Sequence, residues 1–230
     1  MAHEELLSPS VTNAPSPQPA RPSYQLTSLH VVIRDRILFL KFAAPDQFPR
    51  LNRWALTQLS SYMSLLAKSS DLRAAIITGT NKCFAAGAEL AEVAALSAPQ
   101  AFDFAKLGQS TMQSIESSVK PVIAAVRGYC MGGGLDLAMA CHIRIASPDA
   151  VLAHRGATLG ILTGWGGTQR LPRILGSQGR SIAIEIMASG RLISAPEAHA
   201  LKLISRIFPS DKLIDEARKL ATRGNAATHL

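Results

Sequence analysis

The sequence predicts an α/β fold, a largely parallel sheet wrapped by helices. Two observations carry this expectation. Short apolar runs of strand length alternate with stretches of helical period, which argues for parallel pairing through right-handed crossovers. The 230 residues are 47% hydrophobic and 17% charged, enough apolar material for one large core.

Residues 1–27 read as a disordered arm, because Pro9, Pro15, Pro17, Pro19 and Pro22 crowd among Ser, Thr, Asn and Gln, with too little apolar area to offset ordering entropy. His30–Arg34 and Ile37–Phe42 follow as two strands joined at Asp35-Arg36. After Pro45 and Pro49, the spacing of Leu51, Ala55, Leu59, Met63 and Leu66 predicts a helix over 51–68. Ala74–Thr78 is a short apolar strand ending at Gly79, residues 99–117 form a second helix, and Val122–Val126 is a buried strand leading to a run of glycines. That run opens a helix over about 133–141, and Ile143–Ala146 is the next strand. From Gly164 the pattern turns mostly helical, over 165–175, 178–188, 195–201 and 211–222, with Ile204–Phe208 a short strand before the last helix.

The charge of +8 suits an anionic ligand. Lys and Arg are scattered, however, which argues against a nucleic-acid surface; the densest stretch, Arg170, Arg173 and Arg180, reads as a solvated helix face or a binding patch. No segment approaches the roughly 18 to 20 apolar residues of a membrane helix. No secretory signal is evident either, so a cytoplasmic protein is expected. Cys83, Cys130 and Cys141 have neither disulfide nor zinc spacing and read as reduced, buried thiols.

Two turns carry chemistry. In Gly128–Asp136 (GYCMGGGLD) three glycines meet a helix start, where backbone N–H groups lack internal partners and sit at the positive end of the helix dipole. A ligand oxygen can approach such groups closely, and Asp136 stands beside them as an acid or base. In Cys83–Leu90 (CFAAGAEL) small residues again let a ligand lie against the backbone. One N–H from each turn can pinch a single oxygen and stabilise the enolate of a thioester.

The segments FAAGAEL (84–90), KPVIAAV (120–126), GYCMGGGLDLAM (128–139) and GWGGTQRL (164–171) resemble, in order, the signatures of the enoyl-CoA hydratase/isomerase or crotonase family. The similarity runs from about residue 30 to about 222. It implies a crotonase-like spiral of ββα units over 28–190 with a helical C-terminal region over 191–230, and an acyl-CoA substrate. It also implies an oxyanion hole made by the N–H groups of Ala88 and Gly133. Ala86, Gly87, Ala88, Glu89, Leu90 and Gly133 would flank the thioester and pantetheine. The activity implied is a lyase or isomerase of fatty-acid or related acyl-CoA metabolism, with no cofactor beyond the CoA of the substrate and no metal.

Family hydratases hold the added water between two glutamates. Asp136 stands at the first position, one methylene shorter, and the second falls on Gly156, which carries no acid or base. Candidate substitutes are His154, Arg155, Glu89 and Glu92, with His154 read chiefly as a packed histidine and Arg155 as a salt-bridge or CoA-phosphate partner. The dihydroxynaphthoyl-CoA synthase branch also bears Gly at that position, with a bound anion in place of the carboxylate, but its Asp in the following loop is Thr163 here. Trp165 reads as a core anchor or a wall of the acyl pocket. The family's C-terminal helices usually run a few tens of residues further, which bears on the homotrimer or hexamer that the resemblance implies. A second reading is a catalytically weak acyl-CoA-binding or RNA-binding homologue.

Overall fold

A computed structural model describes residues 27–177 and 179–223. The expected N-terminal arm therefore lies outside the described residues up to residue 26. Thr27 does not belong to it: this side chain is buried, and its Oγ1 accepts the Arg50 N–H at 2.9 Å.

Strands β1 (Ser28–Arg34) and β2 (Ile37–Ala43) form an antiparallel hairpin. Asp35 and Arg36 both have positive φ, 53° and 64°, the backbone that matches a two-residue turn to strand twist. Helix α1 (Arg53–Lys68) begins where Asn52 Oδ1 accepts the Ala55 N–H at 2.8 Å. There follow β3 (Ala74–Thr78), β4 (Cys83–Ala85), α2 (Leu90–Ala94) and α3 (Ala98–Glu116), the last opened by a Ser97/Gln100 capping box. Next come β5 (Val122–Val126), β6 (Tyr129–Met131), α4 (Gly133–Ala140), β7 (Ile143–Ala146) and β8 (Val151–Ala153). A single 3-10 turn (Arg155–Leu159) leads to α5 (Gly167–Leu175) and α6 (Gly179–Ser189). The rest comprises β9 (Ile193–Ser194), α7 (Ala195–Ala200), β10 (Arg206–Ile207) and α8 (Leu213–Arg223).

Two sheets result. The larger has the order β1-β2-β3-β5-β7-β10, parallel throughout except for the hairpin. The smaller has the order β4-β6-β8-β9, parallel from β4 to β8. Each of the pairs β3/β4, β5/β6 and β7/β8 puts one strand into each sheet before the chain turns helical, which is the expected ββα spiral. The alternation of side chains divides the larger sheet between two cores. Leu38, Leu40, Ala75, Ile77, Val122 and Ala124 face α1, α3 and α4, whereas Ile37, Ile76, Ile123 and Ile145 pack against Leu213, Ala217 and Ala221 of α8.

The individual strands of the smaller sheet are not predicted by the local sequence pattern. That pattern has the glycine run issue from the strand Val122–Val126, whereas in the structure β6 lies between them and delivers the run. Runs of two or three residues are too short to show a period. The expected strand over Ile204–Phe208 is likewise shorter, at Arg206–Ile207.

Candidate active site

Three parallel strands of the smaller sheet end side by side. β4 leads into Ala86–Ala88, β6 into Gly132–Gly133, and β8 into His154. The ladder continues past the strand ends, since Gly132 N–H donates to Ala153 O at 2.8 Å. Carboxyl ends of parallel strands are where such folds place ligands.

Gly87 has φ +103° and Gly132 φ +51°, conformations that L side chains rarely adopt. A Cβ built on Gly87 would stand 3.1 Å from Met131 O and 3.5 Å from Gly133 N, so the two turns touch. Around Ala88 the neighbouring groups are engaged: Gly87 O accepts from Leu51 N at 2.7 Å and Glu89 N donates to Leu51 O at 3.4 Å. The Ala88 N–H itself has no acceptor among the described residues. The same holds for Gly133 N–H, the first of α4, which helix geometry leaves unpaired.

Asp136 lies three residues beyond Gly133, hence on the same face of α4. It is 1% exposed. Its Oδ1 lies 3.2 Å from His154 Nε2, and its Oδ2 accepts from Thr163 Oγ1. The backbone of α5 comes close beside it: a Cβ on Gly167 would stand 2.2 Å from Asp136 Oδ1 and 3.2 Å from His154 Nε2. At Gly156 a Cβ would meet Ile161 O at 2.3 Å, in a turn that Ile161 N–H closes on Gly156 O at 2.9 Å.

These groups line one cavity of about 530 Å³. Leu90, Val93, Leu96, Phe104, Leu159, Ile161 and Leu162 give it apolar walls, while Arg50, Glu89 and Arg155 bring charge. Trp165, 5% exposed, stacks edge-on against Phe104 at 5.5 Å between ring centres and is both core anchor and cavity wall. Its loop is held by Arg170 Nη1 on Trp165 O at 2.9 Å and by Gln109 Nε2 on Gly164 O at 2.9 Å. Arg170 is buried and bonds Glu116 Oε2 at 2.7 Å, so it is no part of a solvated face; with Arg173 it lines a second cavity between α3 and α5.

The enoyl-CoA hydratase/isomerase family profile matches residues 33–229. The chain belongs to the enoyl-CoA hydratase/isomerase family. It is 36% identical over 190 residues to a crotonyl-CoA hydratase of Syntrophomonas wolfei, covering 82% of this chain and 72% of that protein. It is 38% identical over 195 residues to a probable enoyl-CoA hydratase of Mycobacterium bovis, covering 84% and 73%. Among solved structures, an enoyl-CoA hydratase from Bacillus anthracis superposes with a TM-score of 0.79 at 33% identity, covering 86% of this chain and 76% of that one. A crotonase-type fold and an enzyme of the hydratase or isomerase kind are thereby established, and the weak-binding or RNA-binding alternative finds no support among these relatives.

The residues singled out in the sequence, Ala86, Gly87, Ala88, Glu89, Leu90, Gly133 and Asp136, all line the cavity of this family member. Glu89 caps α2 through the Ala91 N–H at 3.3 Å and lies 3.9 Å from Arg50 Nε. Glu92 is removed from the site: its Oε2 accepts the Arg53 N–H at 3.0 Å at the start of α1. His154 is buried, as the packed reading holds, but it is packed on Asp136 rather than in the apolar core. Thr163, noted in the sequence only as a departure, is the second partner of Asp136. All three cysteines are free and buried; burial pushes the Cys83 and Cys141 thiols up to about 12 and raises Cys130 well above the usual thiol value. None is poised as a nucleophile.

Proposed function

We propose that this enzyme acts on 2-enoyl-CoA thioesters by adding water across the double bond, through an enolate whose oxygen is held by the N–H groups of Ala88 and Gly133. Asp136 is the carboxylate of the proton-transfer machinery. One observation carries the reading: two unpartnered N–H groups on adjoining strand ends open on a cavity that also holds a buried carboxylate one helical turn away. Two such donors aimed at a developing oxyanion lower the barrier, each by on the order of 3 kcal/mol. Polarisation by backbone donors requires no cofactor beyond the CoA of the substrate.

Ala86, Gly87, Glu89 and Leu90 lie along the cavity beside Ala88, where the thioester and pantetheine would pass, and Arg155 offers a cation to the CoA phosphates. The crotonyl-CoA hydratase name of the Syntrophomonas relative supports a short enoyl group. Gly156 favours a second reading, migration of a double bond, because one base can carry a proton between two carbons.

We further place the enzyme in the cytoplasm, whose reducing conditions suit three free thiols, and in a homotrimer or hexamer, for which exposed Ile184 and Leu162 offer apolar contact area. Among the described residues no helix is long and apolar enough to cross a membrane.

The test is an assay of crotonyl-CoA and a 3-enoyl-CoA with wild type and Asp136→Asn. Consumption of crotonyl-CoA that falls at least about 100-fold in the variant is expected. Unchanged turnover in Asp136→Asn would remove the carboxylate from the mechanism. Turnover of the 3-enoyl compound alone would establish the isomerase reading.

A further inference from the structure

We infer that His154 is the second acid–base group of this site, taking the place of the side chain that Gly156 lacks, and that it works with Asp136 as one proton-transferring pair. The inference rests on the acyl-CoA reading above and names the group that reading leaves open.

His154 is the first residue after β8, beside the Gly132 turn at the end of β6, with the Gly132 N–H on Ala153 O tying the two ends together. A group on a strand end has a fixed place, whereas residue 156 lies in the following turn. That turn has closed over the space a carboxylate would need, since a Cβ at 156 would stand 2.3 Å from Ile161 O.

His154 Nδ1 lies 3.8 Å from the Cβ position at 156, so the imidazole occupies the neighbourhood into which a residue 156 side chain would project. Nε2 is 3.2 Å from Asp136 Oδ1, while Nδ1 has no protein partner among the described residues and His154 lines the cavity. Thr163 already holds Asp136 Oδ2, so the carboxylate does not depend on histidine alone for its orientation. An imidazole with one nitrogen on a buried carboxylate and the other unclaimed in a ligand cavity has the arrangement of a base and its orienting acid. The charged groups that share the cavity with the pair are Arg155, on the same segment as His154, and Arg50 and Glu89; α5 brings the backbone of Gly167 against both members.

At 3.2 Å there is no room for a water between the two groups, so they act in series rather than from opposite sides. Nδ1 takes a proton from water as the water oxygen bonds to the β-carbon of the enoyl thioester. The double-bond electron pair moves onto the carbonyl oxygen between Ala88 and Gly133. The imidazolium, stabilised by Asp136, then returns the proton to the α-carbon as the enolate collapses. Both parts of the water end on the product and His154 is neutral again.

The test compares wild type, His154→Gln and His154→Ala for turnover of crotonyl-CoA, for the pH profile of kcat, and for binding of butyryl-CoA. Glutamine can still donate to Asp136 but cannot carry a proton. We expect kcat of His154→Gln to fall by ~10²–10⁴-fold, butyryl-CoA binding to stay within about threefold, the acid limb of the profile to disappear, and added imidazole to restore part of the activity of His154→Ala. A kcat within about fivefold of wild type overturns the inference. So does a lower kcat with the limb intact and no rescue, which would mark His154 as a positioning residue. If either variant fails to fold, the other decides. If wild type consumes no enoyl-CoA, exchange of the butyryl-CoA α-proton in D2O separates the two readings: exchange lost in His154→Gln keeps the base and removes hydration, exchange unaffected by the variant removes the base alone, and no exchange in wild type removes both.

Discussion

The Trp165 indole occupies the space that any side chain at Gly133 would need: a Cβ built there meets Cζ3 at 2.3 Å. The other edge of the ring bears equally closely on α3, where a Cβ on Gly108 would stand 2.1 Å from Cδ1. The N-terminus of α4, with its free N–H, is thus packed to α3 through one aromatic ring.

Gly108→Ala should therefore destabilise the fold by about 1–3 kcal/mol, the usual cost of forcing a methyl into a filled core. The cost should shrink in a Trp165→Leu background, because the clashing atoms are gone. A double-mutant cycle by urea unfolding measures this, and additive effects would show that the two positions do not meet.

Trp165 also lines, together with the main cavity, a second, polar one of about 410 Å³ between α3 and α5. Trp165→Ala should free the indole's own volume beside Phe104 and raise kcat/KM for a six-carbon enoyl-CoA relative to crotonyl-CoA by about tenfold, as each methylene accommodated in an apolar pocket is worth ~1–3 kcal/mol. An unchanged ratio would place the acyl tail elsewhere.

Gly167→Ala should impair catalysis more than binding. The new methyl would stand 2.2 Å from Asp136 Oδ1 and displace a carboxylate that His154 and Thr163 otherwise hold. A misplacement of that size costs about 10²-fold in rate. Steady-state kinetics with crotonyl-CoA and calorimetric binding of butyryl-CoA would separate the two effects.

The thiols predict an alkaline weakness. In the folded chain Cys83 and Cys141 ionise only near about 12, against 9.0 for a free thiol. Because the folded value is the raised one, the stability is fully present below pH 9.0 and is lost as pH rises toward about 12, where the unfolded chain has already released these protons. Urea midpoints should fall progressively over that window, and a Cys83→Ala, Cys141→Ala variant should show a flatter decline. At pH 8 a thiol reagent should label the native protein far more slowly than the unfolded one.

The larger sheet was legible in the sequence because Ala74–Thr78 and Val122–Val126 are largely apolar runs long enough to be recognised and bounded by polar or turn residues, and Ile143–Ala146 sets β-branched residues at alternate positions. The smaller sheet was not. Its strands, such as Cys83–Ala85 and Tyr129–Met131, have three residues and are defined by neighbours far away in the chain rather than by their own pattern. The same limit governed the site. The two glycine-containing turns and Asp136 were visible locally, whereas Ala88 and Gly133 were singled out within those turns by the family resemblance; the structure brings all three to one cavity. The pairing of His154 with Asp136 depends on a contact across eighteen positions of sequence that no local spacing encodes. What the sequence did offer was an adjacency: a histidine directly after the apolar run Val151–Ala153 and just ahead of the glycine where an acid was expected.

The three strand ends of the smaller sheet have a consequence for how such a protein can change its chemistry. Ala88, Gly133 and His154 come from segments far apart in the chain, yet their spacing is set by neighbouring strands about 4.8 Å apart. Insertions between the strands lengthen loops without moving this row. A new side chain is brought to the cavity by changing which residue a strand presents as it leaves the sheet, so one position can be rewritten while the Ala88 and Gly133 N–H groups beside it keep their geometry.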